Sequence, residues 1–384
     1  MISSIEELPI EGKRVFLRVD FNVPLTEENG VIKVADDTRI REALLTIQHV
    51  IKRGARLVLG SHLGRPQGKD PKFSLEPIAN HLSQLLNQDV FLTDDCVGDG
   101  VVMIIRHLKT SSVTLLENLR FHPEEEQNNP EFCEALSQLA DIYVNDAFGT
   151  AHRKHASTYG VARLMPVKGY GFLIQKELQF LTKLLNHPEH PYIAILGGSK
   201  VSDKIKTIEN LFTKVDVMLI GGAMAHAFKV AKGESLSPQA KQPKLEDIEH
   251  AKHILEKARK QEIKLLLPVD DIDSFDIGPK TIEAFCKELS PAKTIFWNGP
   301  LGMFEKEQYS KGTFALAQAL APIKAFKVVG GGDTALALQK VNVTQYIDHV
   351  STGGGATLEF LEGNSLPGID ILKTSKSSSQ KEKK

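Results

Sequence analysis

A glycine-rich turn followed by an acidic residue is the part of this sequence best suited to chemistry. An apolar, β-branched run at 326–329 leads into glycines at 330–332, and Asp333 and Thr334 then open an apolar helical pattern. The backbone N–H groups and dipole of a helix N-terminus attract anions, so this turn could bind a phosphate group. Asp333 offers a hard oxygen ligand for Mg²⁺, and Thr334 a hydroxyl for a phosphate oxygen. Taken alone, such a turn is more often only a tight turn.

The same pattern recurs through the second half of the chain. Short apolar runs lead into glycines at 197–198, 221–222, 299 and 353–355. Because the carboxyl ends of parallel strands share one edge of a sheet, these turns predict a parallel sheet whose edge is lined by backbone donors. Such an edge would suit nucleotide phosphates.

Two lysines and a glutamate add polar groups to this edge. Lys200 and Lys204 follow the turn at 197–198, and on a helix they would share a face and point at the same phosphate. The turn lacks the spacing of a Walker A loop. Glu305 follows Gly302 and could accept hydrogen bonds from a ribose, although a single glutamate is ordinarily a surface residue.

The first half of the chain carries basic residues where predicted strands end. The strand pattern at 14–19 leads into Asp20 and Asn22, and a helix is predicted from Thr38 to just before Gly54. The basic residues at later strand ends, or in the first turn of this helix, are Arg39, His62, Arg65, Arg120, His152 and Arg153. Together they predict a pocket for a small phosphorylated or carboxylated anion. The glutamates at 124–126 are interpreted as an exposed acidic loop without a function.

Composition limits the class of protein. With 384 residues, two domains are expected, with three as the alternative. A formal net charge of -1 gives no global field that would recruit nucleic acid or an anionic membrane. The three cysteines are far apart, which argues against a disulfide framework or a structural zinc site. With no signal sequence and no apolar run of membrane-span length in view, a cytoplasmic location is expected.

The pattern of strands and helices predicts an α/β fold with two doubly wound, Rossmann-like parallel-sheet domains joined by a hinge helix. The expected limits are 1–170 for the first domain, 171–186 for the helix and 187–368 for the second domain. Residues 369–384, which are polar and low in complexity from Thr374 onward, are expected to form a largely disordered tail.

In these motifs the sequence resembles phosphoglycerate kinase. The similarity covers about Arg14 to Gly368 in family order. The motifs that carry it are RVDFNVP at 18–24, SHLGRP at 61–66, LLENLRFH at 115–122, NDAFGTAHR at 145–153, DKI at 203–205, FWNGPLGMFE at 296–305, GGGDT at 330–334 and STGGGA at 351–356. Three features depart from the family pattern: Ala223 in place of a third glycine, a shorter segment at 267–279, and the Ser/Lys-rich tail after Leu372.

The resemblance implies reversible transfer of the γ-phosphoryl group of ATP, with Mg²⁺, to the carboxylate of 3-phosphoglycerate, which gives ADP and 1,3-bisphosphoglycerate. The phosphoglycerate-binding residues it implies are Asp20, Phe21, Asn22, Arg39, His62, Leu63, Gly64, Arg65, Arg120, His152 and Arg153. The implied nucleotide-binding residues are Gly198, Lys200, Lys204, Gly222, Asn298, Gly302, Glu305, Gly331, Gly332, Asp333 and Thr334, with Asp333 as the metal ligand. The residues implied in the transfer itself are Arg39, Lys200, Lys204 and Gly354.

The resemblance also implies that the two domains close about a hinge and that the C-terminal segment packs back on the first domain. A monomer is expected, without nucleic-acid or membrane partners. Three other functions were weighed. A dinucleotide dehydrogenase is disfavoured because no G-x-G-x-x-G is followed by an acidic residue at the end of the next strand. A catalytically inactive nucleotide-binding regulator on the same fold is the alternative. A nucleic-acid-binding role has only the basic tail in its favour.

Overall fold

The structure, a computed structural model, describes residues 2–373. The chain divides into two units, one holding the residues up to Glu177 and the segment from Ser365 onward, the other holding Leu178–Asn364. Their boundary falls inside a helix that spans Phe172–Asn186. The domain limits expected from the sequence stay a prediction.

The first unit is built around a parallel sheet. Its strands are β1 (Arg14–Arg18), β2 (Leu25–Glu28), β3 (Val31–Val34), β4 (Arg56–Gly60), β5 (Val90–Leu92), β6 (Val113–Leu115), β7 (Ile142–Asn145) and β8 (Lys168–Tyr170). Among the described residues, β2 and β3 form an antiparallel hairpin and the other six strands form a parallel sheet in the order β5-β6-β4-β1-β7-β8. The helices up to the unit boundary are α1 (Thr38–Lys52), α2 (Glu76–Leu86), α3 (Asp99–Arg106), α4 (Glu124–Gln127), α5 (Pro130–Ser137), α6 (Val161–Leu164) and α7 (Phe172–Asn186).

Both faces of this sheet are covered, which explains why its central strands are apolar without a break. Val15 and Leu17 belong to one buried cluster, and Phe16 belongs to the cluster on the other face. Successive side chains of a strand point to opposite faces, so a single strand contributes to both cores.

The second unit repeats the arrangement. Its strands are β9 (Tyr192–Leu196), β10 (Val217–Ile220), β11 (Lys264–Leu266), β12 (Asp271–Ile272), β13 (Asp276–Ile277), β14 (Thr294–Asn298), β15 (Phe326–Gly330) and β16 (His349–Ser351). Within the part of the chain that the structure describes, six of these strands form a parallel sheet in the order β11-β10-β9-β14-β15-β16. Its helices are α8 (Ile205–Leu211), α9 (Met224–Ala231), α10 (Leu245–Lys260), α11 (Pro279–Leu289), α12 (Lys311–Leu320), α13 (Gly332–Lys340) and α14 (Gly355–Leu361). The predicted α/β fold with two parallel sheets is confirmed.

The segment at 267–279, which is predicted to be shorter than in similar proteins, contains a small antiparallel hairpin. Strands β12 and β13 pair Asp271 with Ile277 and Ile272 with Asp276. The turn between them places Asp273 and Ser274 at φ 51° and 65°, in the left-handed region.

The chain then returns to the first unit through α15 (Pro367–Asp370). Gly368 donates its N–H to the carbonyl of Ala151 at 2.8 Å and accepts from Asn145 Nδ2 at 3.1 Å. Leu372 is fully buried in the apolar cluster that also holds Phe16. The rest of the predicted tail, 374–384, lies outside the described residues. No helix within residues 2–373 combines the length and the apolar character that crossing a membrane requires.

Candidate active site

In the first unit, the loops that follow β1 and β4 are hydrogen-bonded to each other. The Phe21 N–H donates to Ser61 Oγ at 2.9 Å, and the Gly64 N–H donates to Asn22 Oδ1 at 2.9 Å. These loops extend from neighbouring strands at the same edge of the sheet. The Leu63 N–H donates to Asn118 Oδ1 at 3.2 Å, which adds the loop after β6 to the same network.

Two of the predicted arginines are fixed by contacts to these loops. Arg39, in the first turn of α1, donates from Nη1 to Asp20 Oδ2 at 3.2 Å and to the carbonyl of Asn22 at 3.0 Å. Arg120 is only 7% exposed and donates from Nη1 to the carbonyl of Gly64 at 2.8 Å. Both guanidinium groups are therefore held in place without a ligand.

His62 marks the centre of the basic cluster. The imidazole is buried, and burial is the largest cause that lowers its pKa well below the ordinary value. The positive charges of Arg18, Arg120, Arg39 and Arg153 lower the pKa of His62 further. Arg18 Nη2 lies 3.2 Å from His62 Nδ1. His62 is accordingly neutral at physiological pH.

The structure thus brings together most of the residues predicted for the anion site. Arg153 donates from Nε to His152 Nε2 at 3.1 Å, and this pair is close in sequence to the half-buried His155. Burial, followed by Arg120 and Arg153, lowers the pKa of His155 to about 4. Arg65 follows Gly64 in the same loop but is exposed.

In the second unit, glycine turns follow neighbouring strands, as predicted. The N–H groups of Gly197 and Gly198 donate to the carbonyls of Asn298 and Pro300 at 3.0 and 3.1 Å. The Gly222 N–H donates to the Leu301 carbonyl at 3.0 Å. The turns after β9, β10 and β14 therefore pack backbone against backbone.

Gly222 is one position where only glycine fits. Its φ is 67°, and an added Cβ would lie 2.7 Å from the backbone of Gly198. The neighbouring Ala223 has an ordinary φ of -65° at the start of α9. The backbone therefore does not require a glycine at position 223.

Lys204 lies beneath these turns. It is 8% exposed, and its Nζ donates to the carbonyl of Asn298 at 3.0 Å and also contacts Asn298 Oδ1. Burial lowers the pKa of Lys204 to about 8, while Asp203 and Asp333 act in the opposite direction. The side chain is thus a buried cation with two carboxylates near it.

The helical relation predicted between Lys200 and Lys204 is wrong. Helix α8 begins at Ile205, so both lysines precede it. Lys204 is buried whereas Lys200 is exposed, because the turn at 201–204 separates them where a helix would have aligned them.

The turn after β15 has the predicted form of strand, glycine and helix N-terminus. Gly331 caps α13 at φ 92°, and Gly332 and Asp333 are exposed in the first turn. Thr334 is fully buried, and its Oγ1 accepts the Gly299 N–H at 2.8 Å. In this structure its hydroxyl joins two strand ends, and its role as a phosphate ligand stays a prediction.

The remaining predicted residues lie at the end of β14, in the segment that follows it, and just before α14. Asn298 ends β14 and is buried. Gly302 donates its N–H to Thr313 Oγ1 at 3.2 Å, and Glu305 is exposed. Gly354 precedes α14 with φ 53°.

Comparison with known proteins decides the family. The sequence model described as phosphoglycerate kinase matches residues 5–274 and 271–364 of the chain. The chain belongs to the phosphoglycerate kinase family. The members of this family are glycolytic phosphotransferases. The two matched parts meet at 271–274, inside the segment that forms the short hairpin of β12 and β13.

Similar proteins match over nearly the whole chain. Phosphoglycerate kinase of Anaeromyxobacter sp. (strain Fw109-5) is 50% identical, over 97% of this chain and 99% of its own length. That of Chlorobium phaeobacteroides (strain BS1) is 48% identical, over 96% and 98%. The solved structure of phosphoglycerate kinase from Coxiella burnetii has a TM-score of 0.85 and 41% identity, covering 97% of this chain and 99% of that one. The solved structure of phosphoglycerate kinase from Pyrococcus horikoshii OT3 has a TM-score of 0.84 and 36% identity, and it covers 97% of this chain and 98% of that one.

Three residues that were not predicted from the sequence are linked to the basic cluster around His62. Arg18, Glu125 and Ser157 are buried side chains connected to His62 by hydrogen bonds. The interpretation of 124–126 as an exposed acidic loop is wrong, because these residues start α4 and Glu125 is fully buried. Arg18 ends β1, so the strand-end criterion used for the other arginines would have found it.

Proposed function

We propose that this chain catalyses the reversible transfer of the γ-phosphoryl group of ATP to the carboxylate of 3-phosphoglycerate. The observation that carries the proposal is the cluster of Arg39, Arg120 and Arg153 around the neutral His62. Several fixed guanidinium groups suit an anion with both a phosphate and a carboxylate, because each can bind oxygens in a planar, bidentate manner. The loops that hold Asp20, Asn22 and Gly64 complete this phosphoglycerate site.

The nucleotide is proposed to bind at the glycine-lined edge of the second sheet. The first turn of α13 presents exposed backbone at Gly332 and an exposed carboxylate at Asp333. Lys204, buried and positively charged below about pH 8, would neutralise phosphate oxygens. Lys200 and Glu305 are exposed and are assigned to the phosphates and the ribose, respectively.

A magnesium ion fits the donor chemistry of this edge. Asp333 supplies an exposed hard oxygen ligand, and Mg²⁺ is usually bound through one or two carboxylates together with substrate phosphates. When bound, Mg²⁺ neutralises charge on the β- and γ-phosphate oxygens. Asp333 is the residue proposed to hold it.

The protein's part in the reaction is positioning and charge stabilisation. The attacking group is a carboxylate, which is already ionised at neutral pH, so no general base is needed. Lys204, Lys200 and Arg39 are proposed to stabilise the charge on the transferring phosphoryl group, together with the backbone at Gly354. Because the two substrates are assigned to different units, transfer requires the units to bring them together and to exclude water.

The test is a coupled assay of ADP formation from Mg·ATP with and without 3-phosphoglycerate. Turnover that strictly requires the acceptor, and that is lost when magnesium is chelated, is the expected result. Binding of ATP without acceptor-dependent turnover would overturn the proposal and favour an inactive nucleotide-binding protein. A cytoplasmic location and a monomeric state belong to the same proposal, and sedimentation of the purified chain checks the second.

A further inference from the structure

We propose that Glu125, Ser157 and Arg18 position His62 by fixing its ring proton on Nε2, so that the imidazole is a constant hydrogen-bond donor to the bound anion. Only the role of His62 in anion binding rests on the proposed function. The positioning itself follows from a chain of buried contacts behind the cluster.

The chain of buried contacts starts at Glu125 in α4. This carboxylate is fully buried and accepts from the Ser157 N–H at 2.9 Å and from the Ser157 hydroxyl at 2.6 Å. Burial raises the pKa of Glu125, while the charge of Arg18 is the largest effect that lowers it. Glu125 and Arg18 are therefore counter-charges of one another, linked through the serine.

Ser157 gives the chain its direction. A hydroxyl has one proton to donate, and this proton goes to Glu125. Its oxygen can then only accept from Arg18 Nε, which lies at 2.7 Å. Arg18 is 1% exposed, so it has little room for another arrangement.

Arg18 determines the tautomer of His62. Its Nη2 lies 3.2 Å from His62 Nδ1, and a guanidinium group can only donate. Nδ1 must therefore present its lone pair, and a neutral ring then carries its proton on Nε2. A protonated ring would carry an N–H on Nδ1 as well, and this donor would face the Arg18 guanidinium, which has no acceptor.

Three further arginines that face the ring act in the same sense, and the carboxylate of Asp20 opposes them. Arg39, Arg120 and Arg153 all oppose protonation of His62. Asp20 Oδ1 lies 3.9 Å from Nδ1, which is too far for a hydrogen bond. The ring is thus held as a neutral donor, and we expect it to stay neutral through the pH range in which a histidine ordinarily titrates.

Ser157→Ala breaks this series of hydrogen bonds between Glu125 and Arg18. Tyr143→Phe is a matched control. The hydroxyl of Tyr143 is also buried and donates to the backbone carbonyl of Ser157 at 2.8 Å, but it is not part of the link to Arg18. Each variant removes one buried hydroxyl, that of Ser157 itself or that of Tyr143, which contacts the Ser157 backbone. Glu125→Gln, which keeps the size of the side chain, is a second variant in case Ser157→Ala does not fold.

The first measurement is ¹⁵N NMR of the histidine rings in the protein without substrate, with His62→Gln to assign the signal. We expect Nδ1 without a proton, Nε2 with one, and no titration between about pH 5 and 8. In Ser157→Ala or Glu125→Gln, we expect mixed tautomers or a ring that titrates. A wild-type ring protonated on Nδ1 would overturn the proposal.

The second measurement is kinetic. Loss of one well-placed hydrogen bond should raise the KM for 3-phosphoglycerate about five- to ten-fold in Ser157→Ala, with the KM for Mg·ATP unchanged. Tyr143→Phe should leave both KM values unchanged. Equal behaviour of the two variants in KM and in the His62 spectrum would contradict the positioning role. If the wild type transfers no phosphoryl group, the proposed function fails, and the NMR result still decides the positioning.

Discussion

Arg39 Nη1 lies 3.2 Å from Asp20 Oδ2, although Arg39 sits in the first turn of α1, where the helix dipole disfavours a cation. The carboxylate compensates for the dipole and holds the guanidinium near His62. We therefore expect Arg39→Ala to lower kcat about 10²- to 10³-fold, the usual loss for one charge-stabilising donor, with little change in the KM for Mg·ATP.

Arg41→Ala is the matched control for this substitution. Arg41 lies on the same helix and is paired with Asp37 on the exposed side. Its removal should leave both constants unchanged. A kcat close to wild type in Arg39→Ala would refute the assignment of Arg39 to the transfer step.

The buried cation of Lys204 predicts a loss of activity at alkaline pH. Its pKa of about 8 means that the free enzyme loses this charge as the pH rises through 8, well below the ordinary value for lysine. Since kcat/KM reports the ionisation of the free enzyme, kcat/KM for Mg·ATP should fall above about pH 8 with the slope of one proton. Lys204→Arg should shift or abolish this limb, because arginine stays charged.

Lys200→Arg separates this effect from a general response to pH. Lys200 is exposed near the same turn, so its replacement should keep the alkaline limb in place. An unchanged limb in Lys204→Arg would show that another group titrates.

Substitutions at Ala223 and Gly222 test which positions need a glycine at the sheet edge where the nucleotide is proposed to bind. Ala223 has φ -65°, so Ala223→Gly should leave the KM for Mg·ATP unchanged. Gly222→Ala must place a side chain at φ 67° and 2.7 Å from the Gly198 backbone, so it should destabilise the second unit by more than about 1–2 kcal/mol and raise that KM. Urea unfolding and steady-state kinetics of the two variants measure this contrast. Similar effects of both substitutions would contradict it.

Asp146 makes the stability of the first unit depend on pH. Burial raises the pKa of its carboxyl to about 7, although its Oδ1 accepts the Ile174 N–H at 3.1 Å near the start of α7. The unfolded carboxyl titrates near 4, so between about pH 4 and 7 the folded state binds more protons and the free energy of unfolding falls as the pH rises. Asp276, whose pKa is raised to about 6, adds a contribution of the same sign in the second unit.

Asp146→Asn should remove the Asp146 contribution, so that the variant gains stability relative to wild type between pH 5 and 8 in urea unfolding. Asp141→Asn is the control, because Arg14 lowers the pKa of Asp141 and its linkage lies below about pH 4. Asp141→Asn should change the free energy of unfolding by the same amount at pH 5 and at pH 8. A wild type and an Asp146→Asn variant with parallel pH profiles would rule out this role.

The strands and their polar ends could be predicted because they depend on local patterns. The run Tyr192–Leu196 is apolar and is followed by glycines, and the structure makes it a central strand with a glycine turn. The helix from Thr38 was predicted from its apolar spacing and ends at Lys52, close to Gly54. In both cases neighbouring residues determine the element.

The features that were missed depend on contacts between distant residues. Three consecutive glutamates suggest a solvated loop, and the burial of Glu125 becomes visible only when Ser157, 32 residues away, and Arg18 surround it. The spacing of Lys200 and Lys204 is compatible with a helix. Whether a helix forms there depends on the packing of Lys204 against Asn298, which is 94 residues away.

The contact between Asn145 and Gly368 has a consequence for the order of synthesis. The two residues are 223 positions apart, and the first unit includes the segment from Ser365 onward, whereas the second unit is one uninterrupted stretch. On the ribosome, the buried cluster that holds Phe16 is therefore complete only after Leu372 has emerged. The unit that begins later in the sequence can complete its fold first, which reverses the usual order of domain folding during translation.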